Sequence, residues 1–125
     1  MTPECDCTFP LPASEMRERS LKIFGPDFDS EFASLGDAML DAAYFKNMFA
    51  QAIEVAEKYD VPLYCGEYGV IDKADPQSTV AWYEAIHEAL EECNIARAAW
   101  TYKEMDFGIT TEHLSGVKNQ IIKLL

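Results

Sequence analysis

Basic side chains are scarce in this chain of 125 residues, where ten lysines and arginines face 22 aspartates and glutamates. The formal charge of −12 repels the phosphates of nucleic acids and the surface of anionic membranes, so neither is expected as a partner. A neutral or cationic ligand suits the chain better. Long apolar runs are also missing, none approaching the ~20 residues that cross a bilayer. The opening MTPECDCTFPLP has neither the basic start nor the apolar centre of an export signal, and none is expected from it. Cysteine is limited to Cys5, Cys7, Cys65 and Cys93, spaced neither as a CxxC redox pair nor as a paired zinc knuckle. Free thiols are expected, with Cys65 and Cys93 acting as small buried hydrophobes and no role assigned to Cys5 or Cys7.

Metal motifs begin and then fail. DFDSEF, residues 27–32, opens like a calcium loop, but Phe32 stands where glycine is required and Ala38 where a bidentate glutamate belongs. It reads as a solvated acidic loop. HEALE, residues 87–91, opens like a zinc protease helix, yet Glu91 replaces the second histidine. His87 then reads as a helix-surface residue and His113 as a residue near the start of the last helix. There is no phosphate-binding loop and no Ser, His and Asp order that suggests a triad. Neither a metal nor a cofactor is expected.

What the chain does have is apolar content, at 49%, enough for one folded domain with a core. Residues 1–37 carry prolines at 3, 10, 12 and 26 and read as a long loop holding one short helix, Ser14 to Phe24. From about Asp37 to Tyr59, the residues Phe45, Met48, Phe49, Ala52, Ala56 and Tyr59 recur at steps of three and four, the period of a helix with one buried face. Asp60 ends it. A strand buried on both faces follows at VPLYC, residues 61–65. Asp75-Pro76 opens a second helix, with proline where its missing N–H does no harm, and Thr79 or Val80, Tyr83, Ile86, Leu90 and Cys93 form its stripe. IARAAWTY, residues 95–102, is a second strand, and a last helix runs from about Thr111 to Leu124 with Leu114, Val117, Ile121 and Leu124 on one face.

Strands separated by long amphipathic helices run parallel through right-handed crossovers. Two such strands make no sheet of their own, and their open edges and faces call for more strands than the chain supplies. The order suggests two units of a (β/α) barrel, which spends roughly 250 residues in all. Ligands of parallel α/β folds sit at the carboxyl ends of the strands, and there stand Glu67, between Gly66 and Gly69, and Trp100. A carboxylate beside a flat apolar ring suits carbohydrate chemistry, the acid attacking or protonating while the ring supports a sugar face. The bland alternative is a solvated strand-end carboxylate and a core aromatic.

LYCGEYGVID, residues 63–72, and AAWTYKEMDFGI, residues 98–109, resemble the last two strands of glycoside hydrolase family 5, the cellulase-type barrels. The resemblance covers about residues 40–125. It implies an α/β fold, a partial TIM (β/α)8 barrel containing strands seven and eight, preceded by a loop and a helix. The chain would be a single incomplete domain, residues 1–37 the loop and 38–125 the barrel units. It further implies that Glu67 is the catalytic nucleophile, that Trp100 lines the subsite of cleavage, and that Lys103, Glu104 and Asp106 contact neighbouring sugars.

The family also implies a retaining hydrolysis of O-glycosyl bonds in β-glucan-type polysaccharide, which needs no metal but does need a second carboxyl group about 5–5.5 Å from the nucleophile. Similar enzymes supply it from an Asn-Glu pair ending strand four, and no Asn-Glu dipeptide occurs here. The isolated chain is therefore expected to be inactive. The competing expectation is a non-catalytic remnant that forms a homo-oligomer or docks on a missing N-terminal half-barrel. Members are often exported, whereas free cysteines fit a reducing interior, and the sequence assigns no location.

Overall fold

A computed structural model describes residues 8–26 and 31–125. Cys5, Cys7 and most of the acidic loop that opens at Asp27 lie outside the described residues. The elements run β1 (Leu11–Pro12), α1 (Ala13–Phe24), a 3-10 turn (Glu31–Ser34), β2 (Met39–Leu40), α2 (Ala42–Tyr59), β3 (Tyr64–Tyr68), α3 (Pro76–Glu92), β4 (Ala96–Ala99), a second 3-10 turn (Glu112–Leu114) and α4 (Lys118–Ile122). The chain is α/β, and β3 and β4 pair in parallel.

The leading segment holds more than a loop and a helix. Leu11 and Pro12 pair antiparallel with Leu40 and Met39, and the extended conformation this needs delays α2 to Ala42, later than the expected start near Asp37. Asp41 caps the helix, its carboxylate accepting from the N–H groups of Ala43 at 2.9 Å and Tyr44 at 3.1 Å. Asp60 closes it in the left-handed conformation, φ 54°. Phe45, Phe49 and Ala56 of the expected stripe turn inward, but Met48 and Tyr59 are exposed. The stripe is wider than the surface available to cover it.

α3 fits its sequence pattern closely. Asp75 accepts from the Ser78 N–H at 2.7 Å, Pro76 takes the first turn, and Thr79, Val80, Tyr83, Ile86, Ala89 and Leu90 are buried. Lys46 of α2 reaches Glu92 at 2.7 Å and Glu88 at 3.4 Å, joining the two helices. An aromatic chain ties the leading segment to the sheet: Phe9 stacks on Phe45 at 6.3 Å, Phe45 meets Trp82 edge-on at 5.5 Å, and Trp82 stacks on Tyr68 at 6.4 Å.

The last helix and the first parallel strand also depart from expectation. The single helix from Thr111 to Leu124 divides into a 3-10 turn and the short α4, because Ser115-Gly116 is the poorest helix-forming pair in the stretch. Its apolar positions Leu114, Val117 and Ile121 are nonetheless buried. The strand expected to be buried on both faces is covered on one: Leu63, Cys65 and Tyr68 pack against the core, while Tyr64 is 66% exposed. Among the described residues no second layer lies over the other face.

His87, expected on the helix surface, is half-buried and bonded. Its Nδ1 lies 2.8 Å from the Arg97 guanidinium and 2.9 Å from the Leu124 carbonyl, so it accepts from the first or donates to the second according to tautomer. Arg97 is nearly buried and pairs with Glu91 at 2.6 Å, which holds the Glu91 carboxyl below its ordinary range. Burial raises the Tyr68 phenol, and the neighbouring Arg97 works the other way.

Candidate active site at the ends of the parallel strands

The position of Glu67 follows from a count of residues. Tyr64 pairs with Ala96, Cys65 with Arg97, then Tyr68 with Ala99, so Gly66 and Glu67 of β3 oppose the single Ala98 of β4. This is a β-bulge, which resets the alternation of a strand. In an unbroken strand Glu67 would share the core-facing side with Cys65. With the extra residue, Tyr68 takes that side, packing on Trp82 and Tyr83, and Glu67 is left exposed.

Trp100 follows β4 directly. Its N–H donates to the Tyr68 carbonyl at 2.8 Å, continuing the ladder, and its side chain is 39% exposed. Glu67 and Trp100 thus flank the last residue pair of the sheet, on strands separated by about 4.8 Å. Gly69 explains how closely the two strand ends approach. A Cβ built there would collide with the Trp100 carbonyl oxygen and come within 3.5 Å of the Tyr83 hydroxyl. Tyr83 is fully buried below, and burial pushes its phenol up to about 12, with a smaller contribution from Tyr68.

The loop after Trp100 carries the other three residues expected at the site. Lys103, Glu104 and Asp106 are all exposed, and Lys103 pairs loosely with Glu104 at 3.8 Å. Glu104, Met105 and Asp106 have φ of 67°, 59° and 61°, three successive residues in a conformation that costs about 1–2 kcal/mol each for side chains of this handedness. Backbone bonds hold the turn: Phe107 donates to Glu104 at 3.4 Å, Thr101 to Phe107 at 3.2 Å and Ile109 to Thr101 at 3.1 Å. Gly108 lets the turn close, since a Cβ there would stand 2.7 Å from the Glu104 nitrogen.

Two bonds tie this loop region to the loop after β3. Asp72 donates its N–H to Asp106 at 2.8 Å, and His113 Nε2 lies 2.8 Å from the Ala74 carbonyl. Both loops therefore meet at the carboxyl ends of the strands, with Glu67 and Trp100 beside them. Two cavities lie elsewhere, one of about 460 Å³ at the opposite end of the strands among Ala56, Val61, Leu63 and Cys93, the other of about 400 Å³ at the start of α2. Neither cavity is lined by Glu67 or Trp100, which are both exposed. Among the described residues no three His, Cys, Asp or Glu side chains gather to hold a metal ion, and no helix is long and apolar enough to cross a membrane.

The sequence pattern missed the bulge, the left-handed turn and the Arg97 network. Of the two glycines flanking the acid, Gly69 does mark a close backbone approach, whereas Gly66 makes only ordinary contacts.

No protein-family model matches the chain. Endoglucanase C of Acetivibrio thermocellus is 38% identical over 91 residues, which are 73% of this chain and 26% of that protein. Cellodextrinase A of Ruminococcus flavefaciens is 42% identical over 71 residues, 52% of this chain and 21% of that protein. Among solved structures, a hyperthermophilic endo-β-1,4-glucanase in complex with substrate superposes with a TM-score of 0.52 at 28% identity, covering 62% of this chain and 27% of that one. A second solved structure, an endoglucanase, superposes with a TM-score of 0.55 at 25% identity, covering 65% of this chain and 27% of that one. The chain spans about a quarter of the length of the curated relatives it matches.

Proposed function

Because the chain is a relative of the cellulase-type glycoside hydrolases of family 5, we propose that it forms the closing part of such a barrel and serves hydrolysis of β-glucan-type polysaccharide. In this reading β3 and β4 are strands seven and eight, and residues 38–125 are the barrel units behind a leading segment of 1–37. The observation that carries it is that Glu67 and Trp100 are both exposed at the carboxyl ends of adjacent parallel strands.

Each role follows from the chemistry. The Glu67 carboxylate attacks the anomeric carbon and forms a glycosyl ester as the bond to the departing sugar breaks, with the leaving oxygen taking a proton from a general acid. The same general acid, now a base, removes a proton from water, which hydrolyses the ester and restores Glu67. Trp100 supports the apolar face of the sugar being cleaved. Lys103, Glu104 and Asp106 offer donors and acceptors to hydroxyls of adjoining sugars. The general acid belongs to a strand outside this chain, so the chain alone expels a poor leaving group unaided and is inactive.

A chimera tests the nucleophile. The 91 matched residues replace their counterpart in the Acetivibrio endoglucanase, and cellulose turnover is measured with and without Glu67→Gln. The substitution should lower kcat by roughly a thousandfold or more, about 4 kcal/mol of barrier. A Glu67→Gln chimera that turns over within a few-fold of its parent sinks the assignment.

A second reading rests on the uncovered face of the sheet, where Tyr64 is 66% exposed. There the chain is a non-catalytic remnant that covers its open strands by self-association or by docking on a half-barrel partner.

A further inference from the structure

We propose that Tyr102 is a second sugar platform, setting how far along a glucan chain this end of the site extends. The inference rests on the glucan-hydrolysing reading above and deepens it. Tyr102 follows Trp100 by two positions and is 69% exposed, yet its backbone is clamped. Its carbonyl accepts from the Thr110 N–H at 3.2 Å and from Thr110 Oγ1 at 2.8 Å. Thr101 and Ile109 complete the frame through the bonds already described. A large ring with few torsions, displayed on a fixed backbone, loses little freedom when a ligand stacks on it.

The neighbours suit a neutral, hydroxyl-rich ligand. Lys103 and Glu104 stand exposed immediately after the ring, offering donor and acceptor together, and the net charge of −12 disfavours anionic ones. Glu104 and the next two residues, Met105 and Asp106, hold a left-handed conformation that ordinary loops avoid, and such residues cluster at binding sites. The Cα atoms of Trp100 and Tyr102 are at most about 7 Å apart, a spacing on the scale of one sugar ring to the next. Trp100 then serves the sugar at the cleavage point and Tyr102 a sugar further along.

The test titrates the 125-residue chain and its Tyr102→Ala and Tyr102→Phe variants with cello-oligosaccharides from cellobiose to cellohexaose, following tryptophan fluorescence and heat. Parent affinity should rise with length. Tyr102→Ala should bind cellobiose within about twofold of the parent and cellohexaose about tenfold more weakly, while Tyr102→Phe retains the gain with length. Equal affinity of Tyr102→Ala and parent at every length, or an equal loss at every length, overturns the role of Tyr102 and leaves the glucan reading standing. A parent chain that responds to no length overturns the role of Tyr102, while the glucan reading stands or falls with the chimera.

Discussion

Gly69 decides where the backbone of Trp100 can run. The obstacle to a side chain there is the Trp100 carbonyl itself, with the buried Tyr83 close behind, and neither yields cheaply. Gly69→Ala should destabilise the chain by about 2 kcal/mol, the scale of overpacking at a rigid site, and shift the tryptophan emission. Urea denaturation and fluorescence measure both, and an unchanged unfolding midpoint would contradict the close approach. The types of residue at this end were readable from the sequence: a carboxylate between glycines, then an indole. The irregularity that turns Glu67 outward was not, because the alternation of VPLYCGEY gives no sign that two residues of β3 oppose one of β4. Register belongs to a pair of strands, and a single strand does not encode it.

Among the elements, α3 was the most legible, since its cap, its proline and its stripe all agree. α4 was the least, for a correct apolar period carried no information about the break at Ser115-Gly116. β1 and β2, two residues each, are too short to leave a pattern. Acid should loosen the elements tied by carboxylates. Asp75 is held below its ordinary range by its bond to the Ser78 N–H, and Glu91 by Arg97. A depressed carboxyl contributes stability that is present above its unfolded pKa and lost as pH falls through its folded one. Urea midpoints should therefore hold from neutral pH down to the ordinary carboxylate range and decline below it. Asp75→Asn and Glu91→Gln should each make the decline shallower, and variants with the parent's full acid slope would refute this.

At the scale of the molecule, the two parallel strands leave unpaired edges and one bare face among the described residues. Charge and apolar surface oppose each other here. The excess of twelve negative charges keeps copies apart, and salt screens it beyond a Debye length of about 8 Å at physiological strength. Light scattering after size-exclusion chromatography should show the average mass rising with salt. Tyr64→Lys, which places a charge on the bare face, should hold the chain monomeric at the same salt. A monomer at every ionic strength would remove self-association from consideration.

The bulge carries its own consequence for inheritance. Because the aim of Glu67 is set by how many residues lie between Cys65 and Tyr68, deleting either Gly66 or a neighbour would swing the acid toward hydrocarbon or carry Tyr68 out of it. Point changes that respect the length leave the aim intact. Drift in this stretch is thus tolerant of spelling and intolerant of frame-preserving gaps.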